Sequence, residues 1–131
     1  MALSFDGSDD YLTQTVSLFS GSATSYNWTL VAWIRPDDQH EGTVIGADNG
    51  SGNLGRFSIF SRSNGYLAIR RKGGYVDTGE ANYSDSNTTW LHVAGVFTYG
   101  ARALYVNGTS AATQTSNISL DPSNATIFNI G

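Results

Sequence analysis

Between Thr89 and Gly108 the apolar positions alternate. Leu91, Val93, Gly95 and Phe97 share one face of an extended chain, and Trp90, His92, Ala94 and Val96 share the other. This is the period of two that a pleated strand imposes. Tyr99-Gly100 supplies a turn, Arg102 to Val106 alternates again, and Asn107-Gly108 follows. Asn-Gly between apolar runs is a strong hairpin signal, because both residues accept the positive φ of a type I′ turn. The pattern predicts an antiparallel meander at the centre of the chain.

Trp28 to Arg35 is the most apolar run, with Leu30, Ala32 and Ile34 facing one way and Val31 and Trp33 the other. Apolar residues on both sides predict a central strand covered on both faces. Pro36, which has no N–H for a ladder, ends it. Shorter strands are predicted over Ala2–Asp6, Tyr11–Val16, Thr43–Ala47, Arg56–Arg62, Tyr66–Arg71, Tyr75–Thr78, Ala111–Thr115 and Thr126–Ile130. Ser63-Asn64-Gly65 marks a second Asn-Gly hairpin, and Ser17–Asn27, Asp48–Gly55 and Gly79–Asn87 read as polar loops. No long segment keeps a 3.6 period, and there is no internal repeat or linker. Many short strands spaced by turn signals predict an all-β sandwich or barrel.

Composition narrows the function. The chain has 131 residues, enough for one domain with a real core. Only 14% of them are charged, against about a quarter in ordinary globular proteins. The surface is therefore built largely of Ser, Thr, Asn and Gly, and little charge has to be desolvated when something docks on it. A net charge of −4 argues against a nucleic-acid partner, whose phosphates need a basic footprint. With no cysteine there is neither a disulfide framework nor a thiolate metal site, which leans towards a microbial or viral source. No basic and apolar leader follows Met1 and no run approaches a membrane span. The expectation is a chain made in the cytoplasm, without a signal peptide and with no membrane partner.

Three segments carry a family resemblance. Trp90-Leu-His-Val-Ala-Gly-Val-Phe97 followed by Leu104-Tyr-Val-Asn-Gly108 resembles the signature of laminin-G-like domains in the concanavalin A-like jelly-roll superfamily. Ala2-Leu-Ser-Phe-Asp-Gly-Ser-Asp-Asp-Tyr-Leu12 is similar to that family's first strand, and Trp28 to Pro36 to its second long strand. Together, in the family's order, they imply an antiparallel two-sheet jelly-roll sandwich over residues 1–131, with Leu30, Ala32, Ile34, Leu91, Val93 and Phe97 in its core.

Catalysis fits poorly. The chain has two glutamates, Glu41 and Glu80, both in predicted loops. Related jelly-roll glucanases place a Glu-x-Asp-x-x-Glu cluster on one strand, which sets two carboxylates on one face for the acid and nucleophile roles. That cluster is absent. His92 stands where the family commonly has a histidine and reads as structural; His40 lies in a charged loop.

Calcium favours carboxylate and carbonyl oxygens, and Asp6, Asp9 and Asp10 bunch in one turn. Laminin-G-like domains often bind calcium at loop aspartates, so this turn is the candidate site, although aspartates also form such turns through their own backbone. For a glycan, which needs aromatic faces and a few fixed polar groups, Tyr66, Arg70, Arg71 and Tyr75 cluster around one hairpin. The plainer reading makes the basic residues a solvated hairpin end that guards an edge. Trp28, Trp33 and Trp90 lie in strand signatures and are expected in the core. Asn-x-Ser/Thr recurs at Asn27, Asn49, Asn82, Asn87, Asn107, Asn117 and Asn124, as chance provides in a chain this rich in Asn, Ser and Thr.

The resemblance also implies one further strand beyond Phe-Asn-Ile-Gly, pairing near Trp28–Arg35. Either the sequence is incomplete at Gly131, or that strand has an open, apolar edge, which invites another chain. The expectation is a non-enzymatic interaction module that docks on protein partners, itself or a larger assembly, such as a capsid decoration or tail-fibre protein of a phage. The second reading is a carbohydrate-binding module, calcium-assisted if the aspartate turn holds the ion.

Overall fold

The computed structural model describes residues 4, 12–15, 27–36, 41–48, 57–71, 74–77, 89–98, 100–115 and 127–131; at 71 and 74–77 the backbone alone is described. The elements are β1 (Leu12–Thr15), β2 (Trp28–Ile34), β3 (Gly42–Asp48), β4 (Phe57–Ser61), β5 (Leu67–Arg71), β6 (Gly74–Asp77), β7 (Leu91–Thr98), β8 (Ala101–Val106), β9 (Thr109–Thr115) and β10 (Ile127–Ile130). No helix occurs among the described residues. Two antiparallel sheets form, one ordered β1-β10-β3-β4-β5-β6 and the other β2-β7-β8-β9. The predicted strand over Ala2–Asp6 lies outside the described residues.

The sheets pack face to face because alternation gives each an apolar side. Leu30, Leu91, Val93, Phe97 and Leu104 from the four-stranded sheet meet Ala47, Phe57, Ile59, Leu67 and Ile69 from the six-stranded one. The expected core residues Ala32 and Ile34 are partly buried against this cluster. Phe57 ties the two layers together. Its ring stacks on Trp28 of β2 at 5.3 Å, and meets Phe97 of β7 edge-on at 5.8 Å. Both are preferred aromatic geometries. Between them Gly95 leaves room for the opposite layer, since a Cβ there would come within 3.1 Å of Ile69 and 3.2 Å of Ile59.

The meander β7-β8-β9 appears as the alternation predicts, and its last turn has the predicted geometry. Asn107 has φ 51° and Gly108 φ 79°, the left-handed pair of a type I′ turn. Asn107 also binds β7: its N–H donates to the His92 carbonyl at 2.8 Å, and its Oδ1 accepts the His92 N–H at 3.0 Å. The β4–β5 hairpin forms too, but differently. There Gly65 alone has positive φ, at 78°, and its N–H donates to the Arg62 carbonyl at 3.0 Å. A type I turn ending in a left-handed glycine closes that loop, and Asn64 instead accepts the Tyr66 N–H at 3.3 Å.

The structure corrects the reading of β2. It is not covered on both faces: β2 stands at the end of the four-stranded sheet, and β7 is its one strand neighbour among the described residues. Leu30, Ala32 and Ile34 face the core, while Val31 is 48% exposed and Trp33 is 65% exposed. The other sheet covers the inner side of β2 only, so its second apolar row, on the outward side, meets solvent.

Candidate functional site

The hairpin proposed from sequence is assembled only in part. Arg70 on β5 stands opposite Tyr75 on β6 and Ser58 on β4, so those positions are neighbours across the sheet. Arg71 stands one residue further on, opposite Phe57 and Gly74. The Arg70 guanidinium lies 5.6 Å from the centre of the Phe60 ring, a cation–π contact on a half-buried stem. Tyr66 is half-buried in the turn before β5. The side chains of Arg71 and Tyr75, and Asp6, Asp9, Asp10 and Glu80, lie outside the described residues. Glu41 is exposed just before β3. Among the described residues no three His, Cys, Asp or Glu side chains come together as a metal ion would require.

A different cluster is presented to solvent at the end of the four-stranded sheet. Trp33 of β2 stands opposite His92 of β7, with ring centres 5.1 Å apart and planes tilted by 58°. Trp90, the residue before β7, is 46% exposed, and the Arg35 guanidinium lies 5.9 Å above its ring. Two of the three tryptophans expected in the core are therefore at the surface. For Trp33 the physical cause is alternation: with the inner row of β2 taken by Leu30, Ala32 and Ile34, Trp33 has to face outward. Trp28 alone is drawn towards the core, against Phe57.

The outer face beside this corner is largely apolar. Following the register from Val31, the outer face runs through Ala94 to Tyr105, and from Thr29 through Val96 to Ala103. These β7 and β8 residues are half-buried, mostly small, and without formal charge. Asn107 holds the end of the corner in place, because it bonds both backbone groups of His92. The arrangement offers two aromatic faces, one guanidinium and one imidazole beside an apolar surface. It contains no pair of carboxylates.

A family described as the Concanavalin A-like lectin/glucanases superfamily matches residues 6–131. The chain belongs to that laminin-G-like family. Its fold is accordingly the all-β jelly-roll sandwich that the three sequence segments implied, and solved structures share it. The LG4-5 domains of the mouse laminin alpha1 chain superpose with a TM-score of 0.65 at 13% identity, over 92% of this chain and 31% of that one. A putative carbohydrate binding protein from Bacteroides ovatus gives 0.68 at 21% identity, over 94% and 35%. Domain 4 of AbnA, a GH43 extracellular arabinanase from Geobacillus stearothermophilus solved in complex with arabinotriose, gives 0.58 at 18% identity, over 83% and 53%. The chain thus spans between about a third and a half of the solved chains it resembles. No curated protein sequence matches it.

Proposed function

We propose that this laminin-G-like chain is a non-catalytic binding module whose ligand is a glycan, held at the corner of Trp33, Trp90, His92 and Arg35. The observation that carries the reading is the exposure of Trp33, 65%, beside a half-exposed Trp90. Exposing two indoles to water is unfavourable unless something covers them. A sugar ring has an apolar face to lie on an indole and hydroxyls that Arg35 and His92 can bond. Two similar structures, one of a putative carbohydrate binding protein and one of a domain in complex with arabinotriose, support it. A glycan array identifies the class, and titration of a hit against Trp33→Ala tests the site. Binding should weaken by about tenfold or more, as loss of an aromatic anchor does. A hit bound equally well by the variant places the ligand elsewhere.

A second reading has its own observation. Strand β2 is paired on one side only among the described residues, and the chain carries few charges. Both suit a module that docks on another copy or on a larger assembly at a virion or cell surface, as a capsid decoration or tail-fibre protein does. Sedimentation of the pure chain checks it: self-docking requires a species larger than the monomer.

A further inference from the structure

The aromatic corner is built of two cross-strand pairs of like composition, each an aromatic ring with a hydrogen-bonding side chain beside it. We infer that it holds two sugar subsites, one at Trp33 with His92 and one at Trp90 with Arg35, so that its ligand is a stretch of glycan chain and not a single sugar. This rests on the glycan reading and names the form of the ligand.

The two pairs follow from register and alternation. Pairing of β2 with β7 sets Trp33 against His92 and Ile34 against Leu91; continued by one residue, it sets Arg35 against Trp90. Ile34 and Leu91 turn towards the core, so the residues on either side of them belong to the outward rows of the two strands. The contacts agree with that placement. The Trp33 and His92 rings are centred 5.1 Å apart, and the Arg35 guanidinium lies 5.9 Å from the centre of the Trp90 ring. With these neighbours in place Trp33 is still 65% exposed and Trp90 46% exposed, so both indoles keep surface for a ligand.

The order of the pairs sets the spacing. The indole comes from β2 in one pair and from the β7 side in the other, which makes Trp33 and Trp90 diagonal neighbours. Diagonal positions of an antiparallel pair stand about 7–8 Å apart. One sugar ring does not stack on two indoles at that separation, whereas two rings of one chain do. The polar groups divide in the same way: the guanidinium fork can donate to two oxygens of the sugar on Trp90, and the imidazole can bond the sugar on Trp33. A chain that fills both subsites makes its second contact intramolecularly. A monosaccharide fills one at a time.

The strongest hit of a glycan array, prepared as its own mono-, di- and trisaccharide, is the probe, and calorimetric titration reads it. The disaccharide should bind the native chain about tenfold or more tighter than the monosaccharide. Trp33→Ala and Trp90→Ala should each bring the disaccharide down to the affinity of the monosaccharide. The monosaccharide itself should weaken no more than the loss of one of two places requires. Thermal melting checks that each variant folds. Arg35→Ala, at an exposed position, tests the second subsite with Trp90 intact and should narrow the gap between disaccharide and monosaccharide. A monosaccharide bound as tightly as the disaccharide, or a gap unchanged in Arg35→Ala and in folded Trp90→Ala, overturns the second subsite and leaves a one-sugar site at Trp33. Binding indifferent to both indoles, or no hit on the array, overturns the glycan reading of this corner and the inference with it.

Discussion

Asn107 performs two tasks at once, and the structure allows each to be weighed. Its φ of 51° is left-handed, a region that costs a residue such as Ala about 1–2 kcal/mol and that Asn tolerates. Its Oδ1 also accepts the His92 N–H at 3.0 Å in an exposed position, worth about 0.5–1 kcal/mol net. Asn107→Ala loses both and should cost about 1.5–3 kcal/mol. Gly108→Ala isolates the first effect: φ there is 79°, and a Cβ meets nothing within 4 Å. Its cost is therefore conformational alone, about 1–2 kcal/mol. Asn107→Asp keeps an acceptor and the tolerance for left-handed φ, and should stay within about 0.5 kcal/mol of the native chain. Urea unfolding measures all three, and with a slope of about 1–3 kcal/mol per molar the Asn107→Ala midpoint should fall by about 1 M. If Gly108→Ala unfolds with the native chain, the left-handed turn is not what carries the cost. If Asn107→Ala is no worse than Gly108→Ala, the bond to His92 contributes nothing.

Other substitutions test the packing and the corner. Gly46→Ala should destabilise by about 1–3 kcal/mol, because a Cβ there would collide with the Ser58 Cβ and lie 2.8 Å from the Phe57 carbonyl oxygen. Gly42→Ala on the same strand, with nothing within 4 Å of its Cβ, should be neutral or stabilising by up to about 1 kcal/mol; a matched loss in both would refute the steric account. Phe97→Ala removes a fully buried ring that meets Phe57, and thermal or urea unfolding should show a loss of about 3–5 kcal/mol. Trp33→Ala should leave stability within about 1 kcal/mol, as its ring is mostly in solvent; a larger loss would mean that the indole supports the fold rather than a ligand. Glu41→Gln should alter no polysaccharide turnover, and a β-glucan hydrolysis abolished by it would refute the non-catalytic reading.

The fold was legible where one local signal had one structural outcome. In β7 the alternation of Leu91, Val93, Gly95 and Phe97 left no choice of inward face, and all four are buried. Asn107-Gly108 has two residues that tolerate positive φ, so its turn type followed from composition. The same dipeptide at Asn64-Gly65 closed a hairpin by another turn, because loop length and the bonds of Arg62 decide the geometry there. What could not be read locally was neighbourhood. An apolar run such as Trp28–Ile34 has the same pattern in the middle of a sheet and at its end. Trp33 and Trp90 were accordingly placed in the core, although the alternation that puts Leu30, Ala32 and Ile34 inward already sends Trp33 the other way. The opposition of Trp33 and His92 depends on a pairing across 59 residues of sequence, which only the register of β2 with β7 supplies.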